Sequence, residues 1–261
     1  MKQNQQNPAN SDDIIFGKNT IIEALSNNCR KLNKIIIQKG LHRDQKIDHI
    51  LDLAKEKKIL FEFYNKEYFN KFNTLSHQGV LAFVSPIEYL DLHSFLDIQF
   101  DKIKQNQSKI IILDGVTDPH NLGAIIRTSA CAGFDAIIIS DHRNAKLSSI
   151  VEKTSAGAVN HIPIIKVNSL SYAIDTLKNN HYWIIATDIK ANNNYFEIDF
   201  TDMNFALILG SEGKGATKTM LNKSDFKIKI PIFNKFDSLN VSNAASIVIY
   251  EAVRQICIKN Q

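Results

Sequence analysis

Three loops of the chain concentrate side chains that could bind a ligand or assist a group transfer. The first loop, residues 114–127 (DGVTDPHNLGAIIR), places Asn121 at the start of a predicted helix and Arg127 about two turns along it. An arginine in this setting can pair with a phosphate or stabilise a developing negative charge. A simple helix cap beside a solvated arginine would produce the same pattern, so this loop alone indicates no reaction.

The second loop, residues 209–215 (LGSEGKG), combines three glycines with one acid. Glycines allow backbone N–H groups to approach a ligand closely. The loop is not a phosphate-binding P-loop, because Ala216 occupies the position where that motif requires lysine. A glycine-rich turn without a ligand would explain the glycines, whereas Glu212 inside the loop favours a binding role.

The third loop, residues 230–243 (IPIFNKFDSLNVSN), brings hydroxyl and amide side chains together just before the last predicted helix. These side chains are Ser238, Asn240, Ser242 and Asn243. One or two of them would suffice to cap that helix. Four exceed this need, so the loop is a candidate binding segment.

The spacing of the other reactive residues disfavours a metalloenzyme and a serine hydrolase. No pair among the 8 histidines has the spacing of a metal site, and no cysteine accompanies them, so we predict no metal. Ser238 lacks the G-x-S-x-G context of an activated serine. A nucleotide hydrolase would also need a P-loop lysine, which is missing here.

The segments around the three loops indicate an α/β fold. Residues 108–261 alternate apolar segments with helical patterns, which is typical of a parallel sheet covered on both faces. The predicted strands are 109–113, 136–140, 161–165, 182–187, 205–209 and 226–230, and the predicted helices are 121–132, 148–154, 170–179, 217–222 and 241–258. Ligands in such sheets bind beyond the carboxyl ends of the strands, and all three loops stand at such positions.

The first part of the chain predicts a second, smaller α/β domain. We assign residues 1–12 to a disordered tail, 13–85 to the small domain, 86–107 to a linker and 108–261 to the larger domain. Residues 13–85 carry 12 basic and 8 acidic side chains, a net charge of +4. This excess is compatible with an RNA partner, although many enzymes have a similar charge.

The composition is that of an ordinary soluble globular protein. Hydrophobic residues make up 44% and charged residues 22% of the chain, close to average values. No apolar run approaches the ~20 residues of a membrane helix, and residues 1–12 lack the pattern of a signal peptide. The three cysteines are odd in number and far apart, which disfavours a disulfide framework. We predict a cytoplasmic protein that does not enter a membrane.

Taken together, the three loops resemble the signature motifs of the SpoU (TrmH) family of RNA 2′-O-ribose methyltransferases, within the SPOUT superfamily. Residues 121–127 are similar to the first motif, 210–215 to the second and 230–244 to the third. The resemblance reaches the small domain, where GKNTIIEA (17–24) and HQGV (77–80) are similar to the two ends of an L30e-like RNA-binding domain. This two-domain arrangement resembles that of the family members that methylate a guanosine in the peptidyl-transferase P-loop of 23S rRNA.

The resemblance implies a fold and a cofactor that spacing could not indicate. Members of this family have a deep trefoil knot in the parallel sheet, hold S-adenosylmethionine in the knot and pair as homodimers to complete each active site. The segment 233–237 (FNKFD) is more aromatic and charged than the family segment at that place. The positions that the resemblance assigns to the cofactor are Gly210, Gly215, Ile230, Ile232 and Leu239.

The resemblance also implies roles for side chains. Arg127 would engage the target nucleotide and assist loss of the 2′-hydroxyl proton, by charge stabilisation rather than as a base, because a guanidinium is a very poor base. The residues that would orient Arg127 and the ribose are Asn121, Glu212, Ser238 and Asn240. The candidate RNA contacts of the small domain are Lys18, Arg30, Lys31 and Lys34, each of which could equally lie on a solvated face.

We therefore predict S-adenosylmethionine-dependent 2′-O-methylation of a guanosine ribose in 23S rRNA during ribosome biogenesis. One alternative is the same reaction on a tRNA or on another rRNA nucleotide. Another is a non-catalytic RNA-binding or ribosome-assembly factor that keeps the fold as a scaffold. Arg127, Glu212 and Asn240 together count against the scaffold, since a pure binding protein would not need all three.

Overall fold

The structure is a computed structural model that describes residues 14–27, 31–85, 88–234 and 238–259, so the predicted tail 1–12 lies outside the described residues. The chain forms two compact units. One contains the chain up to residue 87 together with Leu147–Asn160, and the other contains Glu88–Lys146 with the chain from His161 onwards. Both units combine strands with helices, which confirms the predicted α/β class.

The first unit is built on a four-stranded mixed sheet. Its strands are β1 (Ile14–Phe16), β2 (Leu32–Gln38), β3 (Leu60–Tyr64) and β4 (Val80–Val84), in the spatial order β1-β4-β2-β3. Strand β4 runs antiparallel to β1 and β2, and β2 runs parallel to β3. The helices that connect these strands in the described residues are α1 (Lys18–Asn27), α2 (Gln45–Glu56) and α3 (Lys66–Phe69).

Helix α2 shows why the predicted start of a helix can be late. Residues 49–58 have the apolar spacing of a helix, but the helix begins four residues earlier, at Gln45, because Asp44 caps it by accepting a hydrogen bond from the backbone N–H of Ile47 at 3.0 Å. The buried residues of α2 follow helical spacing and pack into the core of the unit. They are Ile47, Ile50, Leu51 and Ala54.

The segment Leu147–Asn160 belongs to the first unit, although the sequence placed it in the larger domain. It carries the short helix α7 (Ser149–Thr154), the element that the pattern predicted over 148–154. The Nζ atom of Lys153 lies 5.2 Å from the centre of the Phe16 ring. A Cβ atom on Gly157 would lie 2.5 Å from the Glu23 carboxylate, and the φ of +80° at this position favours glycine. These contacts are long-range, and a local pattern does not contain them.

The second unit is built on a seven-stranded sheet in which every pair of neighbours is parallel. The strands are β5 (Lys109–Asp114), β6 (Ala136–Ser140), β7 (Ile164–Val167), β8 (Tyr182–Thr187), β9 (Asn193–Asn194), β10 (Asn204–Gly210) and β11 (Phe226–Lys229). Their spatial order is β7-β6-β5-β10-β8-β11-β9. Five of these strands lie close to their predicted positions, β7 is shifted towards the C-terminus, and the short β9 was not predicted.

Helices cover both faces of this sheet, as its apolar strands require. They are α4 (Leu92–Ile98), α5 (Phe100–Lys104), α6 (Pro119–Cys131), α8 (Leu170–Asn179), α9 (Lys218–Lys223) and α10 (Val241–Lys259). Helices α4 and α8 pack with alternate strand residues such as Ile112, Ile138 and Ile208 in one buried cluster. Helices α6 and α10 pack against each other. No helix in the described ranges is long and apolar enough to cross a membrane.

The predicted linker 86–107 is largely helical, and this differs from our expectation. Asp91 caps α4 through the backbone N–H groups of His93 and Ser94 at 3.0 and 3.1 Å. Four residues from α4 and α5 enter the core of the second unit, namely Leu92, Phe95, Leu96 and Ile103. Residues 101–108 are mostly polar, so the sequence did not indicate the helical spacing of these apolar residues. The second unit therefore begins at Glu88, about twenty residues before the predicted boundary.

Candidate active site

The three candidate loops meet at the carboxyl edge of the seven-stranded sheet. Gly210 at the end of β10 pairs in register with Asp114 at the end of β5, so the first and second loops leave the sheet side by side. The third loop follows β11, whose Ile228 pairs with Thr187 at the end of β8. Because β8 lies between β10 and β11, the carboxyl ends of four neighbouring strands, β5, β10, β8 and β11, lie side by side at this edge.

The second loop is a tight turn that closes on itself. The backbone N–H of Ser211 donates to the carbonyl of Gly215 at 3.0 Å, and the N–H of Gly215 donates back at 2.9 Å. Gly210 sits directly behind this bridge. A Cβ atom on Gly210 would lie 1.9 Å from both the Gly215 carbonyl carbon and the Ala216 nitrogen. Glycine at 210 is therefore required by packing, independently of any ligand.

Three side chains, one from each loop, form a hydrogen-bonded cluster. The side-chain amide of Asn121 donates to Oε1 of Glu212. The amide of Asn240 donates to Oδ1 of Asn121 at 3.0 Å and lies 3.3 Å from Oε1 of Glu212. Asn121 is buried, whereas Glu212 and Asn240 are exposed. The cluster is thus anchored in the protein and presents a carboxylate and an amide to solvent.

Asn121 is free to join this cluster because a different residue caps its helix. Helix α6 begins at Pro119, and Asp118 accepts hydrogen bonds from the backbone N–H groups of His120 at 3.2 Å and Asn121 at 3.3 Å. The predicted cap at Asn121 is therefore wrong. Proline at the first helical position and aspartate before it supply the start of the helix, and the Asn121 side chain turns towards Glu212 instead.

Asn240, in contrast, combines capping with its place in the cluster. Its Oδ1 atom accepts hydrogen bonds from the backbone N–H of Ser242 at 2.9 Å and from the Ser242 hydroxyl at 2.6 Å. These bonds fix the side chain at the start of α10 and leave its amide nitrogen directed at Asn121 and Glu212. The capping interpretation and the functional one are satisfied by the same residue.

Arg127 stands apart from the cluster. It is exposed on α6, and it makes no hydrogen bond or ion pair with any residue that the structure describes. Next to Arg127 in the chain, a hydrogen bond of 3.3 Å between the Thr128 and Ser246 hydroxyls links α6 to α10. Within one chain the structure therefore brings Asn121, Glu212 and Asn240 together and leaves the guanidinium available for other partners.

A pocket of about 320 Å³ opens beside the cluster. All five residues that the sequence assigned to the cofactor line it, namely Gly210, Gly215, Ile230, Ile232 and Leu239. Glu212 and Ser238 also line the pocket, so it is continuous with the candidate catalytic residues. Apolar walls come from Leu209, Leu221, Ile228 and Val241.

Sequence reasoning missed one wall of this pocket. Thr187, Asp188 and Ile189 line it and come from the carboxyl end of β8. The Thr187 hydroxyl donates to the carbonyl of Ile208 at 3.2 Å, which holds this wall against β10. The signal was present as a polar Thr-Asp pair at the end of a predicted strand, but the position of β8 between β10 and β11 was needed to interpret it.

The predicted RNA contacts of the first unit differ in availability. Lys18 forms an ion pair with Asp44 at 2.7 Å, and Lys34 forms one with Glu62 at 2.8 Å. Donation of a hydrogen bond to the Glu62 carboxylate raises the pKa of Lys34, and the hydrogen bond that Asp44 accepts from Lys18 lowers the pKa of Asp44. Lys31 is exposed. Arg30 lies outside the described residues.

No group of three or more histidine, cysteine, aspartate or glutamate side chains in the described part of the chain could hold a metal ion. Cys131 and Cys257 are free and exposed, and Cys29 lies outside the described residues.

Comparisons with known proteins match this architecture over both units. The family model described as the SpoU rRNA Methylase family matches residues 108–250, and the model described as RNA 2′-O ribose methyltransferase substrate binding matches residues 14–90. A Staphylococcus aureus (strain MSSA476) protein that carries the name TrmH family tRNA/rRNA methyltransferase is 40% identical over 244 residues, which is 94% of this chain and 96% of that protein.

Solved structures share the fold at lower identity. The AdoMet-bound rRNA methyltransferase from Sinorhizobium meliloti has a TM-score of 0.75 and 23% identity, covering 92% of this chain and 86% of its own. The SpoU methyltransferase AviRb from Streptomyces viridochromogenes, solved with AdoMet, has a TM-score of 0.75 and 21% identity, covering 93% and 89%. With the family model spanning the sheet and all three loops, the chain belongs to the SpoU (TrmH) family of RNA methyltransferases.

Proposed function

We propose that this protein transfers a methyl group from S-adenosylmethionine to the ribose 2′-oxygen of a guanosine in the peptidyl-transferase P-loop of 23S rRNA. The observation that carries the proposal is the adjacency of two features. A pocket lined by all five expected cofactor residues lies beside the cluster formed by Asn121, Glu212 and Asn240. A ligand site and a polar site that share Glu212 are what a group transfer between two bound molecules needs.

The pocket suits the cofactor on its own chemistry. Its volume of about 320 Å³ falls within the ~300–1,000 Å³ of typical small-molecule sites. Apolar residues such as Leu209 and Leu239 can cover an aromatic base, and the glycine turn 210–215 exposes backbone groups to a polar ligand. Two related structures of this fold were solved with AdoMet bound, which supports the same cofactor here. When bound, S-adenosylmethionine supplies an electrophilic methyl group on its sulfonium.

The protein's own residues would position the ribose and stabilise charge. Glu212 accepts hydrogen bonds from the side-chain amides of Asn121 and Asn240, and its carboxylate can bind the 2′-hydroxyl or Arg127. Ser238 lines the same pocket and can donate to the nucleotide. The guanidinium of Arg127 would bind the phosphate beside the target ribose and stabilise the 2′-oxygen as it loses its proton. Such positioning can account for up to ~7–11 kcal/mol of a reaction barrier.

A homodimer fits the position of Arg127. The guanidinium is exposed and contacts none of the described residues of its own cluster, so an arginine from a second copy, or a rearranged RNA-bound state, would have to complete the site. The proposed enzyme is therefore a homodimer. We also propose that each chain has a trefoil knot at the carboxyl edge of the sheet. Light scattering tests the dimer, and a monomer at working concentrations would contradict it.

The first unit would serve as an L30e-like RNA-binding domain. The match of residues 14–90 to a substrate-binding family supports this role. In the described ranges of that unit Lys31 is the exposed candidate, while Lys18 and Lys34 must exchange an ion pair for a phosphate. The methyl transfer would take place in the cytoplasm, during rRNA processing.

The alternative substrate is a tRNA or another rRNA nucleotide, because relatives 40% identical to this chain carry a name that covers both RNA classes. A scaffold without catalysis is disfavoured, since the cluster and the pocket are both intact.

Nucleoside mass spectrometry would test the proposal directly. The full-length protein is incubated with 23S rRNA transcript or with tRNA and methyl-labelled S-adenosylmethionine. We expect label in 2′-O-methylguanosine that maps to the peptidyl-transferase P-loop. Label only in tRNA would keep the reaction and overturn the substrate, and RNA binding without any label would favour the scaffold.

A further inference from the structure

The loop after β6 carries an asparagine whose hydrogen-bonding capacity is fully used. We name residues 141–146 (DHRNAK) the β6 loop. The Oδ1 atom of Asn144 accepts from the backbone N–H groups of Gly115 at 3.1 Å and Val116 at 2.9 Å. Its Nδ2 atom donates to the Leu113 carbonyl at 3.0 Å and to the Ser140 hydroxyl at 3.2 Å. An amide offers two acceptor and two donor positions, and all four are occupied.

These bonds attach the β6 loop to the first candidate loop. The backbone N–H of Ala145 adds a fifth bond, to the Val116 carbonyl at 2.9 Å. Gly115 in turn lies close to the second candidate loop, since a Cβ atom built on it would be 3.3 Å from Cβ of Ser211. The β6 loop is therefore held in a chain of contacts that leads to Ser211, the neighbour of Glu212. None of the three signature motifs includes this loop.

Arg143 in the β6 loop is oriented by a buried acid but remains largely in solvent. Its Nη1 atom lies 4.0 Å from Oδ1 of Asp114, and 65% of the arginine side chain is exposed against 2% of the aspartate. The other oxygen of Asp114 accepts from the backbone N–H of Thr217 at 2.7 Å. At 4.0 Å the ion pair is at the limit of contact, so most of the five guanidinium N–H donors still face water.

The remaining charges of the β6 loop favour an anion. Lys146 and His142 are exposed. The one acid of the loop, Asp141, is paired with Lys166, and this pairing lowers the pKa of Asp141. Asp114, at the end of the neighbouring strand β5, faces the loop and already accepts a hydrogen bond from the backbone N–H of Thr217. The β6 loop thus presents two cations, Arg143 and Lys146, with its own carboxylate neutralised.

We propose that the β6 loop is a phosphate-binding segment for the RNA strand that carries the target nucleotide. Arg143 makes the phosphate contact, and Asn144 is the positioning residue that holds the loop at the edge of the active site. The inference rests on the proposed function, because it takes the ligand to be RNA. A guanidinium suits this task since its planar set of donors can bind two phosphate oxygens at once.

The salt dependence of RNA binding tests this inference. Each phosphate contact contributes about 0.7–0.9 to the slope of log affinity against log salt. We expect Arg143→Gln to weaken RNA binding roughly three- to tenfold at low salt and to reduce this slope by about one contact. Arg143→Lys should retain most of the slope. Lys104→Gln is the control, because Lys104 is exposed on α5, before β5 begins and thus at the opposite edge of the sheet.

Asn144→Asp tests the positioning role, since the shape is kept and the two donors to Leu113 and Ser140 are lost. We expect RNA binding to weaken with a slope between those of the wild type and Arg143→Gln, while affinity for S-adenosylmethionine changes less than about twofold. If Arg143→Gln proves unstable, the double variant with Asp114→Asn removes the buried charge and allows the slope to be measured.

An unchanged slope in folded Arg143→Gln, or an equal loss in Lys104→Gln, would overturn the inference. The proposed function fails separately, if the wild-type protein itself transfers no methyl group to any RNA.

Discussion

Asn121 donates its side-chain amide to Glu212, a residue 91 positions later in the chain, and so joins the first candidate loop to the second. Asn240 completes the arrangement from the third loop with bonds to both residues. The carboxylate of Glu212 is thereby held by two amide donors, and its orientation depends on both. Three loops that are distant in sequence act as one polar site.

Asn121→Asp should abolish this arrangement in a pH-dependent manner. The substitution replaces the amide donor by a carboxylate facing Glu212, and two like charges at this distance raise the pKa of one of them. We expect methyl transfer to fall roughly 100-fold at neutral pH, the size seen when one preorganised donor is lost. Part of the loss should be recovered as the pH falls, because a shared proton restores a donor. The pH profile of kcat/KM measures this.

Asn121→Ala is the matched control for that experiment. It removes the donor without adding charge, so its activity should be low at every pH. If Asn121→Asp and Asn121→Ala gave parallel pH profiles, the interaction with Glu212 would not control the site.

Gly210→Ala should damage cofactor binding through packing. The added Cβ would lie 1.9 Å from two backbone atoms of the turn, so the turn must move, at a cost of about 1–3 kcal/mol in unfolding free energy. We expect affinity for S-adenosylmethionine, measured by calorimetry, to fall at least about 30-fold. Gly213→Ala has open space around its Cβ and a φ of +74°, so it should cost only about 1–2 kcal/mol of stability and change affinity less than about threefold. Equal losses in the two variants would contradict a packing role specific to Gly210.

Arg127→Ala should reduce methyl transfer without reducing stability. Because Arg127 makes no hydrogen bond or ion pair with the described residues, we expect the unfolding free energy to stay within about 0.5 kcal/mol of the wild type. Turnover on intact RNA should fall at least about 100-fold, with cofactor affinity unchanged. Arg127→Lys keeps the charge but not the planar donors and should recover only a small part of the activity. Wild-type turnover in both variants would remove Arg127 from the site.

Stability of the first unit should decrease below about pH 6.5 because of His77. Its Nδ1 atom accepts a hydrogen bond from the backbone N–H of Gly79 at 2.9 Å, and burial lowers the pKa of the imidazole from its ordinary value of 6.5. The unfolded chain then binds the proton more readily than the folded one, so stability is lost as the pH falls through the unfolded value towards the folded one. Thermal unfolding at about pH 7.5 and about pH 5.5 measures this. His77→Gln should be less stable at both pH values and show a smaller difference between them; an unchanged difference would exclude His77 as its origin.

Phe95→Ala should unfold the second unit far more readily than Phe100→Ala. Phe95 is completely buried in the core that α4 shares with the sheet, whereas 54% of Phe100 is exposed. We expect a loss of about 3–5 kcal/mol for the buried phenylalanine and at most about 0.5 kcal/mol for the exposed one, both measured by denaturant unfolding. A loss below about 1 kcal/mol for Phe95→Ala would mean that residues 88–107 are not part of this core. A truncation meant to remove residues 1–87 must therefore keep α4.

The sequence by itself indicated the α/β class, five strands of the second unit close to their final bounds and the residues of the polar cluster. Strands and helices follow from the spacing of neighbouring apolar residues, which is local information. The cluster residues could be named because three loops that follow apolar segments concentrate polar side chains, and because these loops resemble the signature motifs of the SpoU (TrmH) family. The five residues assigned to the cofactor came from the resemblance to the SpoU (TrmH) family rather than from a local pattern, and all five line the pocket.

Only the tertiary structure decided which of these residues meet. The strand order β7-β6-β5-β10-β8-β11-β9 brings Asp114 beside Gly210 and adds Thr187 to the pocket, and neither relationship exists in the linear spacing. The structure also corrected the cap of α6, assigned residues 88–107 to a core and showed that Lys18 and Lys34 are ion-paired. The physical reason is common to all of them. Side-chain partners and strand order depend on contacts between distant segments, whose free energy is shared over the whole fold and is not encoded in any one window of sequence.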